Sequence, residues 1–280
     1  MNQTLESRIS TRAETDLAAR LETISAIISK EWAELIRNRM LLSSTFLLPL
    51  IFLIMPLAMI VGMQSGPVDA EEVKRYVELA PQFAGLAPNE VLQIILVNQF
   101  LIFFLLMPSI IPMTIASYSI IGEKQARTLE PLLASPASTG EILLGKVIAA
   151  VVPAVVVTWL TYGLFVAISF FITSPAVWLA AANATWLLAM VVIGSLLAVV
   201  SVFVAVIISS RVNDTRVAQQ LGGLLVLPVA AFGVAQTAGF VFLSQLHFLG
   251  AAVVLAAAGA ALYFVAVRLF QREQILTRWR

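Results

Sequence analysis

Charge disappears from this chain in long blocks. Residues 40–67, 91–122, 147–210 and 217–267 contain no Asp, Glu, Lys or Arg. A charged side chain at mid-bilayer costs roughly 2.5–3.5 kcal/mol, and about 20 apolar residues suffice for one helical crossing. The first two blocks therefore hold one span each, and the last two are long enough for two each. Block three breaks at Thr173, Ser174 and Pro175, with Trp178, Asn183 and Trp186 nearby, residue types suited to a turn at the membrane interface. Block four breaks around Ser244, Gln245 and His247. The pattern predicts an all-α membrane protein with six transmembrane helices at 40–62, 91–121, 147–172, 184–209, 219–243 and 248–268.

Ahead of the first span, Leu17, Leu21, Ile24, Ile28, Trp32 and Leu35 recur at steps of three and four, with most charges elsewhere on the wheel. This predicts an N-terminal amphipathic helix, with Thr11 and Glu14 as a candidate capping box, lying in the interface with Trp32 at headgroup depth. Packing on a soluble partner or on the other spans is the alternative. In the loop 63–90, Val73, Tyr76, Val77 and Ala80 have the spacing of a second amphipathic helix, an outer lid or a solvated connector. The chain divides into a segment 1–39, a six-span domain 40–270 and a tail 271–280.

Composition agrees with a bilayer: 60% of the residues are hydrophobic and 12% charged, against about 45–50% and about 25% in soluble domains. A net charge of +1 offers no basic face for nucleic acid. With no cysteine, thiolate and disulfide chemistry are excluded. Charge placement is more informative. Fifteen of the seventeen Lys and Arg fall on one side of the predicted membrane, and only Lys74 and Arg75 on the other. By the positive-inside rule both termini are expected in the cytoplasm, and the polar start of the chain does not read as a signal peptide.

Gly140-x-x-x-x-Gly145-Lys146 fits a phosphate-binding loop, but Val147 replaces the hydroxyl residue that would bind magnesium, and no strand pattern precedes it. No nucleophile with a base, carboxylate pair or metal cluster is legible, so catalysis and bound cofactors are not expected. The spans lack the buried carboxylates or lysines of ion-coupled pumps. Instead they hold prolines at 108, 112, 153 and 228 that can kink a helix. Asn98, Gln99, Tyr118, Gln219, Gln220, Pro228 and Gln236 are candidates for a pathway or gate, or for bonds between helices.

The loop between spans two and three runs Glu123-Lys124-x-x-x-Thr128-Leu129-Glu130-x-Leu132-Leu133-x-Ser135-Pro136, followed by Glu141-Ile142-Leu143-Leu144-Gly145-Lys146. It reads as a short charged helix with a leucine edge, ended at Ser135-Pro136. This run is similar to the hallmark of type-2 ATP-binding-cassette (ABC) exporter permeases. The segment from Lys30-Glu31-Trp32 to Arg37-Asn38-Arg39, leading into a span with Pro49, resembles that family's entry to its first helix. The resemblance implies that the loop is a coupling helix seated in a separate ABC ATPase subunit. Its coupling residues would be Glu123, Lys124, Arg127, Thr128, Leu129, Glu130 and Leu133. It further implies a second permease subunit in a homo- or heterodimer, ATP and Mg bound by the partner ATPase, export by alternating access, and a prokaryotic plasma membrane. A broken or re-entrant segment near the outer end of span five is also implied. Pro131 departs from the family pattern and places the ends of the coupling helix in question. A stand-alone carrier or channel and a non-transporting scaffold are the alternative functions.

Overall fold

A computed structural model describes residues 2–64, 70–80, 83–128, 131, 137–237 and 245–269. All regular structure among them is helical. Helix α1 (Asn2–Arg37) precedes the spans. Span one is α2 (Arg39–Met63), and span two is α4 (Pro88–Phe104) followed by α5 (Met107–Gln125). Between these two spans lies α3 (Ala70–Leu79). Span three is α6 (Thr139–Ile172). Span four comprises α7 (Pro175–Ala181), α8 (Ala184–Leu188), a π turn (Ala189–Ile193) and α9 (Gly194–Arg211). Span five is α10 (Thr215–Gly222), a 3-10 turn (Gly223–Leu225) and α11 (Val226–Thr237); span six is α12 (Gln245–Leu269). Among the described residues, six helical segments are long and apolar enough to cross a membrane, as the charge gaps predict.

Several boundaries differ from those that the charge gaps predict. Span three begins at Thr139 rather than 147, because Ser138 and Glu141 form a capping box and Lys146 is accommodated inside the helix. Helix α1 runs through Thr11 and Glu14, so that pair does not start it. Asn38 separates α1 from α2 by leaving helical geometry and accepting from the amides of Met40 and Leu41 at 3.1 and 3.2 Å. A 3-10 turn interrupts span five at 223–225, toward its first end; residues 238–244, where an outer break was expected, are outside the described residues. The segment between spans one and two is helical over Ala70–Leu79 and packs on α4, and Val73 and Ala80 are buried.

Spans two, three and four form the centre. Helix α5 lies along α9 over its length, and α6 packs on α1, α2 and α5. Phe104 sits between Phe52 of span one and Phe165 of span three, ring centroids 6.1 and 5.5 Å away. The apolar faces of α2, α11 and α12 remain largely outward.

Helix α1 does not simply float at the interface. Ile27, Glu31 and Leu35 are buried against the bundle, and the Trp32 indole donates to the Ala149 carbonyl of α6 at 3.1 Å. Packing on the spans, the alternative in the sequence, accounts for this edge. Leu17, Leu21 and Ile36 form an adjacent exposed apolar edge. Contact with α6 is close because Gly145 has no side chain; a Cβ there would lie 2.8 Å from Ile27 Cγ2.

Candidate functional site at the end of the second span

The last turn of α5 carries Glu123, Lys124 and Gln125, and each is engaged by another part of the chain. Glu123 is only 5% exposed. Its Oε2 lies 2.8 Å from Lys146 Nζ of α6, and its Oε1 accepts from Lys30 of α1. Lys146 Nζ, also buried, donates to Glu31 Oε1 at 2.6 Å and to Ser119 Oγ at 2.7 Å. Lys30 stands 3.8 Å from Glu31 and 3.5 Å from Glu34. Two cations and two buried carboxylates thus join α1, α5 and α6 as a neutral quartet. Charges taken from water are tolerated where an opposite charge is supplied; each member of this set has one within 2.8 Å, although Glu123 Oε2 meets Lys146 as an ion pair without a hydrogen bond.

Burial pushes the Glu31 carboxyl up, but the Lys146 ammonium, with hydrogen bonds from Lys146 and Ser119, holds it below its ordinary 4.5. Burial pulls the Lys30 ammonium down, yet Glu123, Glu31 and Glu34 together raise it above 10.5. Both partners are therefore ionised at neutral pH.

On the other flank, Lys124 Nζ donates to the Val212 carbonyl at 3.2 Å and Gln125 Nε2 to the Asn213 carbonyl at 2.9 Å. Val212 caps α9, and a lysine is a natural donor for the last carbonyls of a helix. The end of span two is therefore bound to α1, to span three and to the connection between spans four and five.

The chain leaves this hub through a Schellman turn. Thr128 N–H reaches the Glu123 carbonyl at 3.0 Å and Arg127 N–H that of Lys124 at 3.3 Å, with Arg127 in the left-handed region at φ 55°. Helix α5 ends at Gln125, so Glu123 and Lys124 belong to span two, and Arg127 turns the chain out of it instead of continuing one charged helix. Arg127 and Thr128 are exposed. Leu129, Glu130, Leu132 and Leu133 lie outside the described residues.

The pathway candidates that are described lie at several places along the spans. Asn98 Oδ1 accepts from the Trp186 indole at 2.7 Å and its amide donates to the Ile94 carbonyl at 2.8 Å, so it ties span two to span four. Gln99 faces Gly233 of span five. Tyr118 Oη lies 4.0 Å from Met40 Sδ. Gln219 is half-buried, Gln220 and Pro228 are exposed, and Gln236 is in α11 with its side chain outside the described residues. A cavity of about 370 Å³ lies elsewhere, between spans three and four, lined by Trp159, Tyr162, Gly163, Leu187, Met190 and Val191 among others. Its polar wall groups are turned inward: Trp159 donates to Met190 O at 3.2 Å and Tyr162 to Ala181 O at 2.9 Å.

The phosphate-loop resemblance dissolves in this geometry. Gly145 serves the contact with Ile27, Lys146 is consumed by the quartet, and both sit within α6. Sequence reasoning missed Lys30, Glu31 and Lys146 as site residues. One signal was present: Glu31 falls four residues from both Ile27 and Leu35, an acid on the apolar face.

Comparison with curated proteins gives no match. The family model of the ABC-2 family transporter proteins matches residues 25–249, from within α1 to the start of α12, and so takes in all four members of the quartet. With six apolar helices and a match covering most of its length, this chain belongs to the ABC-2 family of transporter membrane proteins.

Proposed function

We propose that the chain is the permease subunit of an ATP-driven exporter, powered by a separate ABC ATPase that docks on the segment following Gln125. It pairs with a second permease subunit, keeps both termini in the cytoplasm of a prokaryotic cell, and moves its substrate by alternating access. The observation carrying this reading is the hub: the last turn of span two, from which the loop departs, is anchored to three other elements of the bundle. Displacement of 126–136 would pull on Glu123, Lys124 and Gln125, and through them on α1, α6 and the α9–α10 connection. Discrete ion-pair and hydrogen-bond contacts of this kind pass motion between packed elements.

The roles of the coupling residues divide accordingly. Glu123 and Lys124 face the chain's own bundle and act as transmitters. Arg127, Thr128, Leu129, Glu130 and Leu133 are the docking contacts, and ATP and Mg belong to the partner. The chain supplies no catalysis of its own.

The test is purification of the tagged full-length chain in mild detergent from its host, with mass spectrometry of co-purifying proteins, beside Glu130→Arg. An ABC ATPase present with the wild type and lost from the variant supports the reading. Equal ATPase recovery with both removes Glu130 from the docking surface. Absence of any ATPase from both, under conditions that preserve known complexes, favours a scaffold.

A further inference from the structure

Three of the six spans interrupt their α-helical ladder among the described residues, and close contacts at three glycines tie these spans together around the interruptions. Span two turns at Leu105 and Leu106, span four widens into the π turn at Ala189–Ile193, and span five tightens into the 3-10 turn at Gly223–Leu225. Gly194, the first residue after the π turn, lies against Pro108, the second residue after the break in span two; a Cβ on it would be 3.5 Å from Pro108 Cγ. Such departures concentrate where a helix bends or is prepared to bend.

Spans two and five run antiparallel, pinned at two glycines. Gly222 backs onto Met113 so closely that a Cβ would collide with the thioether, and Gly233 faces Ile102, whose Cγ2 would be 3.3 Å from such a Cβ. The pins are in register: eleven residues separate Gly222 from Gly233, and eleven separate Met113 from Ile102. Both breaks, and Pro108, Pro112 and Pro228, fall between the pins. Pro112 lies inside α5 and removes one hydrogen bond of the ladder, so the irregular backbone of both helices is confined to the level spanned by the two pins, with the break of span two nearer Ile102 and that of span five nearer Gly222.

Above and below that level, cross-links keep each half together. On the far side, Asn98 holds Trp186 at 2.7 Å and Gly233 packs on Ile102 and Phe103, joining α4, α8 and α11. On the near side, α5 lies along α9, Lys124 and Gln125 hold the α9–α10 connection, and Gly222 packs on Met113. Span three crosses the level unbroken despite Pro153, as do α2 and α12.

We propose that these interruptions form one hinge belt, on which the far halves of spans two, four and five (α4, α8, α11) move as a unit against the near halves (α5, α9, α10), framed by the unbroken α2, α6 and α12. The hinge supplies a structural step for the alternating-access reading above and rests on it, but its test needs neither transport nor an ATPase. A failure of the hinge would leave the family and the docking reading standing.

The chain contains no cysteine, so paired spin labels can be introduced without removing any residue. Val217 and Val234 are exposed, seventeen residues apart, and straddle the belt on span five. Leu246 and Tyr263 are exposed at the same separation on unbroken α12 and serve as the reference. In lipid nanodiscs, double electron–electron resonance should give a distance distribution for Val217–Val234 about twofold wider than for Leu246–Tyr263. Pro108→Ala with Pro112→Ala, both on span two, should narrow the span-five distribution, because the two helices bend together. Pro228→Ala, at an exposed position that leaves the packing intact, should narrow it as well and serves if the double variant does not fold. A wild-type distribution as narrow as the reference overturns the hinge. A wide distribution unmoved by the span-two substitutions, or by Pro228→Ala where these do not fold, overturns the coupled belt.

Discussion

Lys146 Nζ lies 2.6 Å from Glu31 Oε1, across 115 residues of sequence, and this bond fastens the pre-span helix α1 to the third span. The same ammonium lies 2.8 Å from Glu123, so one lysine fixes both the position of α1 and the end of span two. The quartet has consequences for stability as well as for coupling.

Lys146→Met leaves Glu31 without its principal counter-charge and should cost about 3–5 kcal/mol, the range for breaking a buried pair. Pairing it with Glu31→Leu removes the stranded charge and should recover most of that loss. Thermal unfolding in detergent of the two single variants and the double variant measures the coupling. Additive losses would show that the two side chains act independently.

The pH dependence follows from Glu31. Its carboxyl titrates below 4.5 in the folded chain, so its contribution to stability is complete above that value and is lost as pH falls through the lower folded pKa. The melting temperature is expected to hold from neutral pH down to about 4.5 and then fall, with a shallower fall in Glu31→Gln. Lys30 acts oppositely. Raised above 10.5, it contributes fully below that pH and loses its contribution as pH rises through the folded value. The loss is smaller because its side chain is 41% exposed.

Gly145→Leu should detach α1 while sparing the spans. Its side chain would enter the space of Ile27 Cγ2, which lies 2.8 Å from a Cβ at this position. Protease access within 17–37 should rise several-fold, roughly as expected when local opening is eased by about 1–2 kcal/mol. Gly140→Ala, where nothing lies within 4 Å, is the matched control and should leave access unchanged.

Trp186→Phe keeps the ring on Phe248, centroid separation 5.7 Å, but removes the donor to Asn98. A loss of about 0.6–1.7 kcal/mol is expected, the range for interhelical hydrogen bonds within membranes. Steric trapping or thermal unfolding checks it. Full retention of stability would make Asn98 available for another role.

The six spans were legible in the sequence, because excluding charge from hydrocarbon acts on composition over twenty residues and needs no knowledge of neighbours. The same rule placed the start of span three eight residues late. It treats every lysine as an end, whereas Lys146 is admitted by two carboxylates that the chain brings from 23 and 115 residues away. The loop signature pointed correctly to the family. It could not show that Glu123 and Lys124 face inward, because that depends on where α1 and the α9–α10 connection come to rest. Asn98 reads in sequence as a polar residue that could face a path or a helix, and only packing set it against Trp186. Charge counting and periodicity fix which segments enter the membrane; which polar groups meet inside it is decided by tertiary structure, since each buried charge or amide is stable only where the fold supplies its partner.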